Sequence, residues 1–153
     1  MFNLLIKKEY RNKFKFTNFL YNELWGLCEK YFEEIDETND DSTSTVNAMV
    51  ASYNVVLYCG RTAIDDNTKI DLERFIKNQV KGVDKAGLKK DTVYQVFSPS
   101  SDNSILIQMF NVSEYFLREL NAPELYQNFH YLKEKGINIM HKMEAEHFSQ
   151  KND

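Results

Sequence analysis

Backbone breakers are scarce in this chain. Two prolines and five glycines are spread over 153 residues, too few to punctuate the many short strands and tight turns of a sandwich or barrel. The glycines stand at positions 26, 60, 82, 87 and 136. At that scatter neither a phosphate-cradling P-loop nor a dinucleotide-binding fingerprint can be assembled. Cysteine is scarce too: Cys28 and Cys59 form no CxxC pair and no zinc pattern. Both fall on apolar helical stripes, and on an antiparallel hairpin turning near Asp40 they are offset by about 10 Å, beyond disulfide reach. They are expected to be buried free thiols.

Long apolar runs are missing as well. The N-terminal "MFNLLIKKEY" offers five residues dominated by apolar side chains before Lys7, too short for a signal-peptide core, and no later run approaches the length of a membrane span. The expected setting is the cytoplasm, with no membrane partner. Neither charge sign dominates: 19 Lys and Arg face 23 Asp and Glu, leaving a net charge of −4, so the overall field repels nucleic acid and no nucleic-acid role is expected. No G-x-S-x-G pentapeptide is present to mark a nucleophile elbow, and Ser, Asp and His show no spacing that nominates a triad.

What the chain does have is aromatic bulk: eleven Phe and nine Tyr, each able to bury a large area. With so few breakers, that composition favours helices joined by short polar loops. From Thr17 the apolar residues Leu20, Leu24, Leu27, Cys28, Tyr31, Phe32 and Ile35 recur at three and four, predicting a helix over about 17–37. Before it, "KFKF" at 13–16 alternates like a short strand. "STST" at 42–45 supplies N-caps for a second helix over about 43–64. Thr68 and Asp71 resemble a capping box opening a third, with Leu72, Phe75, Ile76, Val80 and Val83 on its buried face. Pro123 opens the last helix, whose stripe of Leu125, Phe129, Leu132, Gly136, Ile139, Met143 and His147 keeps alternate steps of four and three. Gly136 in that stripe predicts close approach of a neighbouring helix.

The middle segment admits two readings. Thr92 to Phe97 and Ile105 to Phe110 fit the strands of a β-hairpin; alternatively Ser98 caps and Pro99 opens a helix carrying Leu106, Met109, Phe110, Phe116, Leu117 and Leu120. The helix is favoured. The expected architecture is therefore one mostly all-α domain over residues 1–153, a compact bundle of about five helices, with a small hairpin at 92–110 as the alternative.

Candidate chemistry concentrates in two places. "HKMEAEHF" at 141–148 contains Glu144 and His147, an E-x-x-H pair of the kind carboxylate-bridged di-iron bundles use. Such sites need two pairs and further glutamates, and only one pair exists here. On a helix His141 and His147 also point about 120° apart, so with Glu144 they cannot close on one ion. The plainer reading is a polar helix end, with His147 closing the apolar stripe and His130 an ordinary boundary residue. A row of Lys77, Lys81, Lys85 and Lys89 reads as a solvated face diluted by neighbouring acids.

The second place is a charge asymmetry. Residues 7–15 carry five basic side chains against one Glu, whereas 29–41 hold Glu29, Glu33, Glu34, Asp36, Glu37, Asp40 and Asp41 against one Lys. The plain reading is a solvated loop; carboxylates near a helix C-terminus oppose its dipole by about 0.3–1 kcal/mol each at low salt, and that misfit argues that something other than stability favours them. The sequence points to a non-enzymatic protein-binding module of the inhibitor, immunity, antitoxin or adaptor type. Glu33, Glu34, Asp36, Glu37, Asp40 and Asp41 are its expected contact residues for a protein partner with a basic surface. No cofactor is expected, and the chain is expected to be a monomer or a homodimer. The alternative is a small helical metal-dependent enzyme with its site on the C-terminal helix at Glu144 and His147.

Overall fold

A computed structural model describes residues 2–36, 42–65, 71–85, 94 and 104–151, with side chains described for 8–34, 45–65, 71–83, 94 and 104–149. The first helical run is longer than the periodicity from Thr17 suggested. α1 (Phe2–Asn18) passes through a π-turn (Phe19–Glu23) into α2 (Leu24–Asp36) without a break, giving a rod about 50 Å long. The "KFKF" segment is helix, not strand. Residues two apart on a helix lie about 200° apart, so four alternating residues satisfy either geometry, and the structure places Phe16 fully inside while Phe14 faces solvent. In the π-turn the Leu24 amide donates to the Phe19 carbonyl. The Tyr53 hydroxyl from the next helix donates to the Leu20 carbonyl at 3.0 Å, tying the widened turn to the core.

That next helix, α3 (Ser42–Ile64), is the centre of the molecule. Ala48, Met49, Ala51, Ser52, Tyr53, Val55, Val56, Cys59 and Ala63 are all buried, covering most of the helix circumference, the pattern of a helix surrounded by others. α2, α4 (Leu72–Lys85), α5 (Ile105–Glu119) and α6 (Pro123–Lys151) all pack on it. Its buried serine is satisfied locally: Ser52 donates to the Ala48 carbonyl, as Ser113 on α5 does to Met109. A close helix approach is at Gly60, where an added Cβ would overlap Leu20 Cδ1. Gly136, where the sequence predicted such an approach, is looser: a Cβ there would meet Ile76, Leu72 and Phe110 at 3.8–3.9 Å, ordinary van der Waals contact.

α4 begins at Leu72, about three residues later than a box capped by Thr68 implies. Asp71 Oδ1 accepts from the Arg74 amide at 3.0 Å, so Asp71 is the cap; Thr68 lies outside the described residues. The buried face is Leu72, Ile76, Val80 and Val83, with Phe75 stacked on Tyr58 at 4.0 Å. Helix is the outcome for the second half of the ambiguous middle segment: Ile105 to Phe110, one strand of the hairpin alternative, forms the start of α5. Ser104 caps it, its hydroxyl accepting from the Ile107 amide at 3.3 Å. Ser98 and Pro99 lie outside the described residues. α5 turns into α6 through Asn121 at φ 53°, a left-handed conformation that Asn tolerates better than most residues. The aromatic bulk meets at the centre, where Phe129 takes Phe16 edge-on at 5.6 Å and Phe110 at 5.7 Å.

Candidate protein-docking groove

α2 and α5 both lie against α3 yet make little contact with one another. The gap between them is a groove of about 220 Å³ lined by Leu24, Leu27, Cys28 and Tyr31 of α2, Met49 of α3, and Ile105, Gln108, Met109 and Val112 of α5. Its floor is buried: Leu24, Cys28, Met49 and Met109. Its rim is apolar and open to water, with Leu27 48%, Tyr31 49% and Val112 38% exposed. At this size it suits one large side chain rather than a typical small-molecule ligand. Two of the floor residues are methionines, whose unbranched thioethers repack around varied guests.

The lip on the α2 side is charged. Glu23 stands four residues before Leu27 and Glu34 seven after it, the spacings that place side chains on one helix face, and both are exposed. Glu33, one residue from Glu34, is exposed but turned about 100° round the helix from it. Asp36 closes α2; its side chain, together with Glu37, Asp40 and Asp41, lies outside the described residues. By that spacing Glu34, one of the expected contact residues, and Glu23, which sequence reasoning passed over, fall on the α2 face that carries Leu27, with the exposed Lys30 between them; neither carboxylate lines the groove itself. The four-residue step from Glu23 to Leu27 was readable. What was not readable is that Leu27 is half-exposed, because it sits on an apolar stripe wider than α3 can cover.

The C-terminal histidines hold no such constellation. His147 stacks on Tyr94 at 4.7 Å, and Glu144 approaches His141 at 4.0 Å. Among the described residues no three His, Cys, Asp or Glu side chains converge where an ion could be held. His147 lines an open cleft of about 760 Å³ to which α4 presents Arg74, Lys77 and Lys81, and which also contains Asp71, Glu73 and Glu146. Lys77 is bridged to Glu73 at 3.2 Å, so the two signs there largely offset each other. Lys85's side chain and Lys89 lie outside the described residues.

A polar cluster that the sequence did not announce joins α5 to α6. The buried Glu114 carboxylate meets His130 Nδ1 at 2.7 Å and Lys133 Nζ at 3.1 Å, and Lys133 also donates to Asn111 at 3.1 Å. Arg118 donates to the Tyr126 hydroxyl at 2.9 Å, and the Tyr126 ring stacks on His130. Two helices facing each other across sixteen residues of chain are invisible to a reading along one helix at a time.

Comparison with known proteins is silent: the chain matches no family model, no curated protein and no solved structure. Burial pushes the Cys59 thiol up to about 12 and the Cys28 thiol to about 11, so at neutral pH the sulfur in the groove floor is held as an uncharged thiol. Among the described residues no helix is long and apolar enough to cross a membrane.

Proposed function

We propose that this protein is a non-enzymatic protein-binding module whose α2/α5 groove receives an amphipathic helix of a partner protein bearing Lys or Arg beside its apolar face. The observation that carries the reading is the gap itself. Leu27, Tyr31 and Val112 stay 48%, 49% and 38% exposed over a buried floor that includes two methionines, where two helices packed on α3 make little contact with each other. A helix laid there completes the packing, the helix-in-groove mode of recognition. Fully covering an aliphatic or aromatic side chain is worth about 1.5–3 kcal/mol, whereas an exposed ion pair contributes about 0–1 kcal/mol. Affinity therefore comes from Leu27, Tyr31 and Val112, and Glu23 and Glu34 set orientation and speed of encounter. An inhibitor, immunity or adaptor role is the biological class in which a surface of this kind serves.

The test is differential capture from lysate of the source cells. Wild type, Leu27→Lys/Val112→Lys and the remote surface variant Tyr131→Lys are compared after circular dichroism confirms equal helicity. A protein held by wild type and Tyr131→Lys and lost by the groove variant supports the reading. Equal capture by all three removes it.

A further inference from the structure

The groove calls for a helix with apolar side chains on one face and cations beside them, and α1 of this chain has such a surface. Tyr10 and Phe14, one turn apart, are 72% and 67% exposed. Lys8, Arg11 and Lys15 run alongside at steps of three and four, all exposed, so a ridge of two rings carries a basic row on its flank. Phe16 on the opposite side is fully buried against Phe129. α1 is thus anchored by one face and turns the ridge outward.

Ridge and groove cannot meet within one molecule. They lie on the same helical run, where Phe14 and Leu27 are thirteen residues, or about 20 Å, apart along the axis, and neither can bend back onto the other. Between molecules their signs match on balance: Lys8, Arg11 and Lys15 of α1 stand against Glu23 and Glu34, which outnumber the exposed Lys30 between them on the lip.

We propose that the α2/α5 groove of one copy takes the Tyr10/Phe14 ridge of a second copy, a head-to-tail self-association; this rests on the reading of the groove as a helix-docking surface. Because the two patches differ, each added copy leaves one ridge and one groove open, and assembly grows until a ring closes. Two aromatic side chains meeting a groove of about 220 Å³ make a small contact, in the class of weak and transient interfaces. The association is reversible, rises with concentration and weakens with salt.

Sedimentation velocity of the full chain over a concentration series tests this. Wild type shows concentration-dependent oligomers. Phe14→Ser, Arg11→Glu/Lys15→Glu and Glu23→Lys/Glu34→Lys each weaken association at least tenfold, with circular dichroism unchanged. An equimolar mixture of the two charge-reversed proteins regains it, since the acidic ridge of one now fits the basic groove of the other. Wild type that stays monomeric at the highest concentrations, variants that associate as wild type does, or a mixture that stays dissociated overturns the proposal. The groove reading is judged separately, because Phe14→Ser leaves the groove intact: a chain that remains monomeric yet captures a partner through Leu27 and Val112 refutes self-association alone.

Discussion

Glu114 of α5 and His130 of α6 meet at 2.7 Å, with Lys133 on the other carboxylate oxygen. Burying a carboxylate is costly unless it is paired and hydrogen-bonded, and this one is held by two partners from the facing helix. The cluster fixes how α5 lies on α6, and therefore where α5 places Ile105, Met109 and Val112 beside the groove.

Removing either partner of the Glu114–Lys133 pair is expected to be severe. Glu114→Leu leaves the largely buried Lys133 ammonium without its carboxylate, and Lys133→Met does the reverse, each a loss of about 3–5 kcal/mol for broken buried pairs. Glu114→Leu/Lys133→Met, which removes both charges and keeps the volume, costs much less than the two single changes added together. Urea denaturation of the four proteins in a double-mutant cycle checks this; additive losses would show that the pair does not couple the helices.

Gly60 and Gly26 respond in opposite directions to alanine. A Cβ on Gly60 overlaps the fully buried Leu20, so Gly60→Ala forces repacking between α3 and the π-turn at about 1–3 kcal/mol, against roughly 1 kcal/mol gained in helix propensity. At Gly26 nothing stands within 4 Å of the added atom, and Gly26→Ala stabilises by about 0.5–1 kcal/mol. Thermal melts of the two variants give the signs.

The thiols set an alkaline limit. Each is pushed up by burial from 9.0, Cys28 to about 11 and Cys59 to about 12. Between the unfolded value and the folded one, the unfolded chain has released a proton that the native protein still holds. Stability therefore falls as pH rises from about 9 towards 11 to 12, and is unaffected by these groups below 9. Tyr53 and Tyr58, also raised by burial, add to the same slope. Cys28→Ala/Cys59→Ala should show a shallower decline than wild type in denaturation midpoints measured from pH 8 to 11; an unchanged slope would show that the thiols ionise freely in the native state.

The helices were legible where apolar residues recur over several turns. α3, α4 and α6 begin close to where Ser42, Asp71 and Pro123 signalled, and α3 ends at Ile64 as its periodicity predicted. α1 was obscured because Phe14 and Phe16 also satisfy a strand period, and because Tyr10 and Phe14 are aromatic yet exposed, blurring the stripe. The start of α5 was obscured by Ser98 and Pro99, which advertise a cap several residues before the Ser104 that serves as one. The acidic character of the surface near the groove was visible in Glu33 and Glu34. The groove itself was not, since it exists because α2 and α5 share α3 while making little contact with each other, a fact of tertiary packing that no single helix encodes.

The account stands most directly on whether the groove takes an apolar, basic helix. Methyl-labelled protein titrated with a synthetic helix-forming peptide, leucines on one face and lysines beside them, reports this through the resonances of Leu27, Met49, Met109 and Val112. The expected result is saturable shifts centred on those four methyl-bearing residues and abolished when the peptide leucines are replaced by alanine at equal charge. Shifts that are absent, that centre on the Arg74 and Lys81 cleft, or that survive the alanine replacement would contradict it.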